Sequence, residues 1–152
     1  MTRLVTLIAL VTALGCASDA PPTAPSPPPG ANSGTWVGTT SDSLHGAGTL
    51  RLELTELTVD ASRSLWGGTW RLDVPAPASA SSGTFTGTRD GGVVQLILQP
   101  TPPVSCPPGP TFVIPGTVAA TNLTLSGGSL TGAYTYAACS GSVPGTLSVR
   151  RQ

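Results

Sequence analysis

At 152 residues, with charged side chains at only 9% of positions and no lysine, the chain has room for one domain and little charge with which to hold a polyanion. Nineteen Gly and sixteen Pro, with Thr frequent throughout, disfavour helices, so the expected fold class is all-β. Removing an N-terminal export signal that contains Arg3 leaves six arginines against seven carboxylates, a net charge of −1 without a run of like charge, which argues against nucleic acid as a partner.

The first element is a targeting segment. Arg3 supplies a minimal positive start, and Leu4 to Leu14 is an apolar run of 11 residues, suited to a signal-peptide core and too short to span a bilayer. The following Ala13-Leu14-Gly15-Cys16 resembles the lipobox of bacterial lipoproteins. That resemblance implies cleavage before Cys16, acylation of its thiol and attachment to the cell envelope. The signal then covers residues 1–15, and the lipidated Cys16 with its linker covers 16–32. The match departs from the preferred pattern at Ala13, where Leu is usual, and at Leu14, where a smaller residue is usual. The alternative is ordinary cleavage after Ala17, which discards Cys16 and releases a soluble protein. If Gram-negative sorting applies, Ala17 rather than Asp after the Cys implies the outer membrane, on its periplasmic or its surface side. Residues 21–29 include six prolines, a composition that stays extended and cannot pack a core, as a tether requires. The chain has three cysteines, and lipidation of Cys16 frees Cys106 and Cys139 to pair with each other.

Past the tether, residues 33–152 read as a succession of strands. Gly-Thr-Trp-Val-Gly-Thr at 34–39 recurs as Gly-Thr-Phe-Thr-Gly-Thr at 83–88 and Gly-Ser-Leu-Thr-Gly-Ala at 128–133, a turn residue leading each time into β-formers. Leu50, Leu52 and Leu54 alternate with Thr49, Arg51 and Glu53, a period of two that fits a half-buried strand. Trp66, Trp70, Leu72 and Val74 share a second apolar face against Thr69, Arg71 and Asp73, so the charges of these two strands are expected to face each other outside. Val94, Leu96 and Leu98 form a third such face. Asp90-Gly91 predicts a type I′ hairpin. Prolines at 75 and 77, at 100–103 and at 107–110 mark loops, and Pro115 interrupts an otherwise strand-like 111–118. The expected strands are 34–40, 48–55, 65–74, 83–89, 92–99, 111–118, 128–136 and 145–150.

Eight short sequential antiparallel strands remove their edges by closing into an up-and-down barrel. Gly34-Thr35-Trp36 on the first strand, with Arg150 or Arg151 on the last, resembles the arrangement in lipocalin and avidin (calycin) barrels, where an N-terminal Trp packs under a C-terminal Arg at the closed end. The resemblance implies that Trp36 and Arg150 close the barrel structurally; no ligand-contacting residue of those families maps onto this chain. The whole chain is also similar to small bacterial lipoproteins that combine a lipobox, a Pro-rich tether and a Gly/Thr-rich barrel with two late cysteines.

Reactive constellations are sparse. His45 is the only histidine, and Asp42, Ser43 and His45 lie too close in sequence for the geometry of a triad, so a solvated turn is expected. One His and two paired Cys offer no metal-ligand cluster, and without lysine there is no P-loop. Glu53, Glu56, Asp60, Asp73 and Asp90 are expected on outer faces or turns. No cofactor is implied and an enzyme is not expected. Two functions follow: a non-catalytic envelope module that meets another protein or an envelope polymer through its surface, with a filled barrel; or a lipocalin-like carrier of a small apolar ligand, lined by Trp66, Trp70, Leu72, Leu96, Leu98 and Tyr134, with a cavity of several hundred cubic ångströms.

Overall fold

The computed structural model describes residues 30–75, 78–106 and 116–152. The signal, Cys16 and most of the Pro-rich linker lie outside the described residues, as do Pro77, Pro107, Pro108, Pro110 and residues 111–115. Eight strands follow in chain order: β1 Gly34–Asp42, β2 Gly46–Thr58, β3 Arg63–Pro75, β4 Ala78–Asp90, β5 Val93–Pro100, β6 Val118–Ser126, β7 Ser129–Ala138 and β8 Gly141–Arg151. Each pairs antiparallel with the next and β8 pairs with β1, so the sheet closes into an up-and-down barrel without a free edge. Fold class and closure are those expected from the sequence.

Alternation explains the interior. Leu50, Leu52, Leu54, Trp66, Val94, Leu96, Leu123, Leu130, Leu147 and Val149 all face inward and are buried. Full burial of each Leu or Val contributes about 1.5–3 kcal/mol, so side chains spaced two apart hold the strands in register. In the repeated Gly-Thr motif the second glycine marks close strand contact. A Cβ at Gly38 would fall 1.9 Å from the Ser148 carbonyl oxygen, and one at Gly87 would fall 2.3 Å from that of Gln95.

Two local expectations are corrected. Of the expected strand 111–118, residues 111–115 lie outside the described residues and 116–117 are not strand; the sixth strand is Val118–Ser126. Its registers with β5 and β7 both shift, so Ala120 and Leu123, three positions apart, both face the core. A bulged strand of this kind breaks the two-residue period by which strands are recognised. The β4–β5 hairpin forms where expected, with Asp90 opposite Val93, but the turn is made by Gly91-Gly92, of which only Gly91 has positive φ (59°), as at the first central position of a type II′ turn. The two positive φ values of a type I′ turn occur instead at Gly127 and Gly128, between β6 and β7. The outer charges of β2 and β3 do face each other as expected, with Arg51 across from Arg71, while the ion pairs run along each strand, Arg51–Glu53 and Arg71–Asp73, both at 2.7 Å. Such exposed pairs are worth less than about 1 kcal/mol.

The barrel has two unlike ends. At one, the chain enters β1, the β2–β3, β4–β5 and β6–β7 turns lie side by side, and β8 ends. At the other, here called the mouth, lie the β1–β2, β3–β4 and β7–β8 connections and the long link from β5 to β6. Cys106 in that link is bonded to Cys139 in the β7–β8 turn, with Cα atoms 5.5 Å apart across a sequence separation of 33. A loop of this size is worth roughly 3–4 kcal/mol through the entropy it removes from the unfolded chain.

Candidate functional site

The entry end is filled. Trp36 and Trp66 pack with ring centroids 6.2 Å apart, and beside them Glu56, 3% exposed, continues the inward row of Leu50, Leu52 and Leu54. Its position inside the barrel corrects the expectation of an outer-face carboxylate. Ser64 Oγ donates to Glu56 Oε1 at 2.6 Å, Trp66 Nε1 donates to it at 3.1 Å, and Arg89 Nε stands 3.3 Å away. The incoming chain completes the cluster, because Asn32 donates to Glu56 from both its backbone N–H (2.8 Å) and its side-chain amide (3.0 Å). Burial by itself raises the Glu56 pKa, but the hydrogen bonds from Ser64, Asn32 and Trp66 outweigh it and hold the carboxyl at about 2. Trp36 Nε1 donates to the Asn32 carbonyl. The residue opposite Trp36 on β8 is Arg151, which donates to the Ala31 carbonyl; Arg150 pairs with Val37 and is exposed. Arg151 therefore stands where the sequence reading placed Arg150. Trp66 and Leu96 are buried in this region and do not line the mouth cavity described next.

The mouth half is hollow. A cavity of about 180 Å³ lies beneath the rim, where the exposed Ser79 and Ser81 border it. Of the six predicted lining residues, Trp70, Leu72, Leu98 and Tyr134 do line it. One side of the wall is apolar, built by these first three with Val74, Val104 and Val118. The other side is polar, built by Thr40, Asp42, His45, Tyr134 and Tyr136. The cavity is smaller than the several hundred cubic ångströms expected of a lipocalin-like carrier. It is nonetheless comparable to the roughly 150 Å³ at which an apolar cavity accepts a benzene ring.

The polar wall is built by register. Asp42 on β1 and Tyr134 on β7 both stand opposite Gly145 on the intervening β8. A Cβ at Gly145 would lie 2.3 Å from the Tyr134 ring, so the missing side chain lets that ring lie across β8 and its hydroxyl donate to Asp42 Oδ2 at 2.8 Å. Asp42 also opens the β1–β2 turn, where its Oδ1 accepts the backbone N–H groups of Leu44 (2.8 Å) and His45 (2.6 Å). His45 Nδ1 lies 3.2 Å from both carboxylate oxygens, and the imidazole meets Tyr136 edge-on at 4.8 Å. Ser43, Leu44 and Gly46 are exposed, as expected of a solvated turn, while the His45 side chain, 30% exposed, borders the cavity. Burial raises the Asp42 pKa, but the hydrogen bonds from His45, Tyr134 and Leu44 bring it below the usual carboxylate value, so it is ionised. Burial and the adjacent Asp42 push the Tyr134 phenol far up, which keeps it a protonated donor. The indole N–H of Trp70 is spent on the carbonyls of Thr84 and Gln99, so this side chain offers the cavity only its ring. Ser43 makes no side-chain contact to Asp42 or His45. Among the described residues, no group of three or more His, Cys, Asp or Glu side chains is placed to hold a metal ion.

Closed sheet, sequential antiparallel order and one filled end define an eight-stranded up-and-down barrel consistent with a calycin-like fold. No protein-family model, curated protein or solved structure matches the chain.

Proposed function

We propose that the protein is an exported lipoprotein, held at the cell envelope through acylated Cys16, whose barrel is a non-catalytic binding module that takes a small ligand in the mouth. The anchor rests on the sequence: an apolar signal, Ala13-Leu14-Gly15-Cys16 and a Pro-rich tether occur in the order that lipoproteins require. The binding reading rests on one observation, the hollow mouth half whose wall carries Trp70, Leu72, Leu98 and Tyr134, while Trp36, Trp66 and Glu56 lie buried together at the other end. Small pockets of this kind combine an apolar lining with a few convergent polar groups. The size of the space selects single-ring or branched small molecules over long acyl chains.

Tryptophan fluorescence tests this directly, since Trp70 borders the cavity whereas Trp36 and Trp66 lie at the packed end. The full chain carrying Cys16→Ser is titrated with single-ring and branched aliphatic probes. A saturable change in emission that disappears in Trp70→Phe is the expected result. An absent response, or one that persists in Trp70→Phe, would refute binding in the mouth and return the search to partners of the outer surface.

A further inference from the structure

Resting on the binding reading above, we infer that the ligand class of the mouth is a small organic cation, of the tertiary or quaternary ammonium type. The first ground is charge. Among the described residues lining the cavity, Asp42 is the only acidic one, its side chain 4% exposed, and none is Lys or Arg. Residues 76–77 and 107–115 contribute no charged side chain in the sequence. Arg51 and Arg71 are exposed and paired with Glu53 and Asp73 along the outside of their strands. Arg63, Arg89, Arg150 and Arg151 belong to the opposite end of the barrel. Among the described lining residues the one basic group at hand is His45, whose Nδ1 lies 3.2 Å from the Asp42 carboxylate oxygens. A bound cation gains from that charge, whereas a bound anion such as a fatty acid is repelled by it.

The second ground is the state of the carboxylate. A carboxylate offers about four acceptor positions, and here Leu44 N–H, His45 N–H, His45 Nδ1 and the Tyr134 hydroxyl occupy them. A primary ammonium entering this wall surrenders water and finds no vacant acceptor on Asp42. A quaternary ammonium has no N–H to satisfy and responds to the charge alone. The third ground is the aromatic wall. Trp70, Tyr134 and Tyr136 border the same space, and the negative faces of such rings attract alkylammonium groups. Charge without free acceptors, aromatic surface and a volume of about 180 Å³ converge on a compact alkylated cation.

The test compares choline with its uncharged analogue 3,3-dimethylbutan-1-ol, in which carbon replaces the quaternary nitrogen, using calorimetry on the full chain carrying Cys16→Ser. Choline is expected to bind on the order of 10-fold or more tighter than the alcohol, the scale of a desolvated cation–π contact beside a charge. Asp42→Asn, which keeps size and polarity, is expected to remove that preference. His45→Lys, which leaves Asp42 in place but sets a fixed cation beside it, is expected to do the same and covers a failure of Asp42→Asn to fold. Equal affinities, or tighter binding of the alcohol, would overturn the cation inference while leaving a binding cavity in place. Binding of neither compound would overturn both.

Discussion

Each end of the barrel holds one inward carboxylate, and the two are treated in opposite ways. Glu56 has a cation within 3.3 Å, donors from three side chains and a backbone amide, and no space beside it. Asp42 is as well hydrogen-bonded but faces a cavity, and its only basic neighbour is a histidine. A buried charge that is paired and enclosed serves to hold chain segments together, because removing any partner strands the others. A buried charge that borders empty space has its hydrogen bonds satisfied and still faces the cavity. A carboxylate thus marks the latch at one end and the candidate site at the other.

The comparison is broken most strongly at the packed end. Glu56→Ala leaves Asn32 without its acceptor and Arg89 without its counter-charge, so that Arg89 Nε and the Trp66 N–H retain only Ser64 Oγ, and about 3–5 kcal/mol of stability is expected to go, as when one member of a buried ion pair is deleted. Urea unfolding measures it; a loss below 1 kcal/mol would show that the cluster is ornamental. Acid should reproduce most of this without mutation. The folded Glu56 pKa of about 2 lies below its ordinary 4.5, so the unfolded chain takes up the proton first. The stabilisation is complete above about pH 4.5 and is lost as the pH falls toward 2. It amounts to about 3 kcal/mol at the usual 1.36 kcal/mol per pKa unit. Unfolding midpoints between pH 6 and 2 should fall in the native protein and hold nearly level in Glu56→Gln once the other carboxylates are accounted for by difference. At the mouth the expected effect is smallest: Tyr134→Phe removes one hydrogen bond to Asp42, which water from the rim can replace, at a cost of about 1 kcal/mol. Ligand affinity should change by more than stability does, and equal changes in both would make Tyr134 a packing residue like those around Glu56.

Much of this architecture was legible beforehand, because period-two alternation fixes which side chains point inward. It assigned Leu50, Leu52, Leu54, Trp70 and Leu98 correctly, and it also contained Glu56, two residues beyond Leu54, whose charge argued for the surface and masked its phase. Alternation gives no depth along the barrel axis, which is why Trp66 and Leu96 were grouped with Trp70 and Leu98 although only the latter pair reaches the cavity. The polar wall was the least visible part. Asp42 and Tyr134 are 92 positions apart and meet only because β8 runs between their strands with a glycine at the crossing. His45 was noticed for its rarity, but the turn that folds it inward is a product of three backbone and side-chain contacts to Asp42, which no spacing rule announces.

The latch also fixes how the molecule carries load. The Gly30 N–H bonds to the Glu56 carbonyl, Arg151 holds the Ala31 carbonyl, and β1 then runs between β2 and β8 from the packed end to the mouth. A pull on the residues before Gly30 therefore enters the barrel along a strand, opposed by two rows of ladder hydrogen bonds strained in shear rather than opened one after another. The rim, with its disulfide, lies at the far end of that strand. Tension on the proposed tether would reach the rim last, along the strand that ends at Asp42.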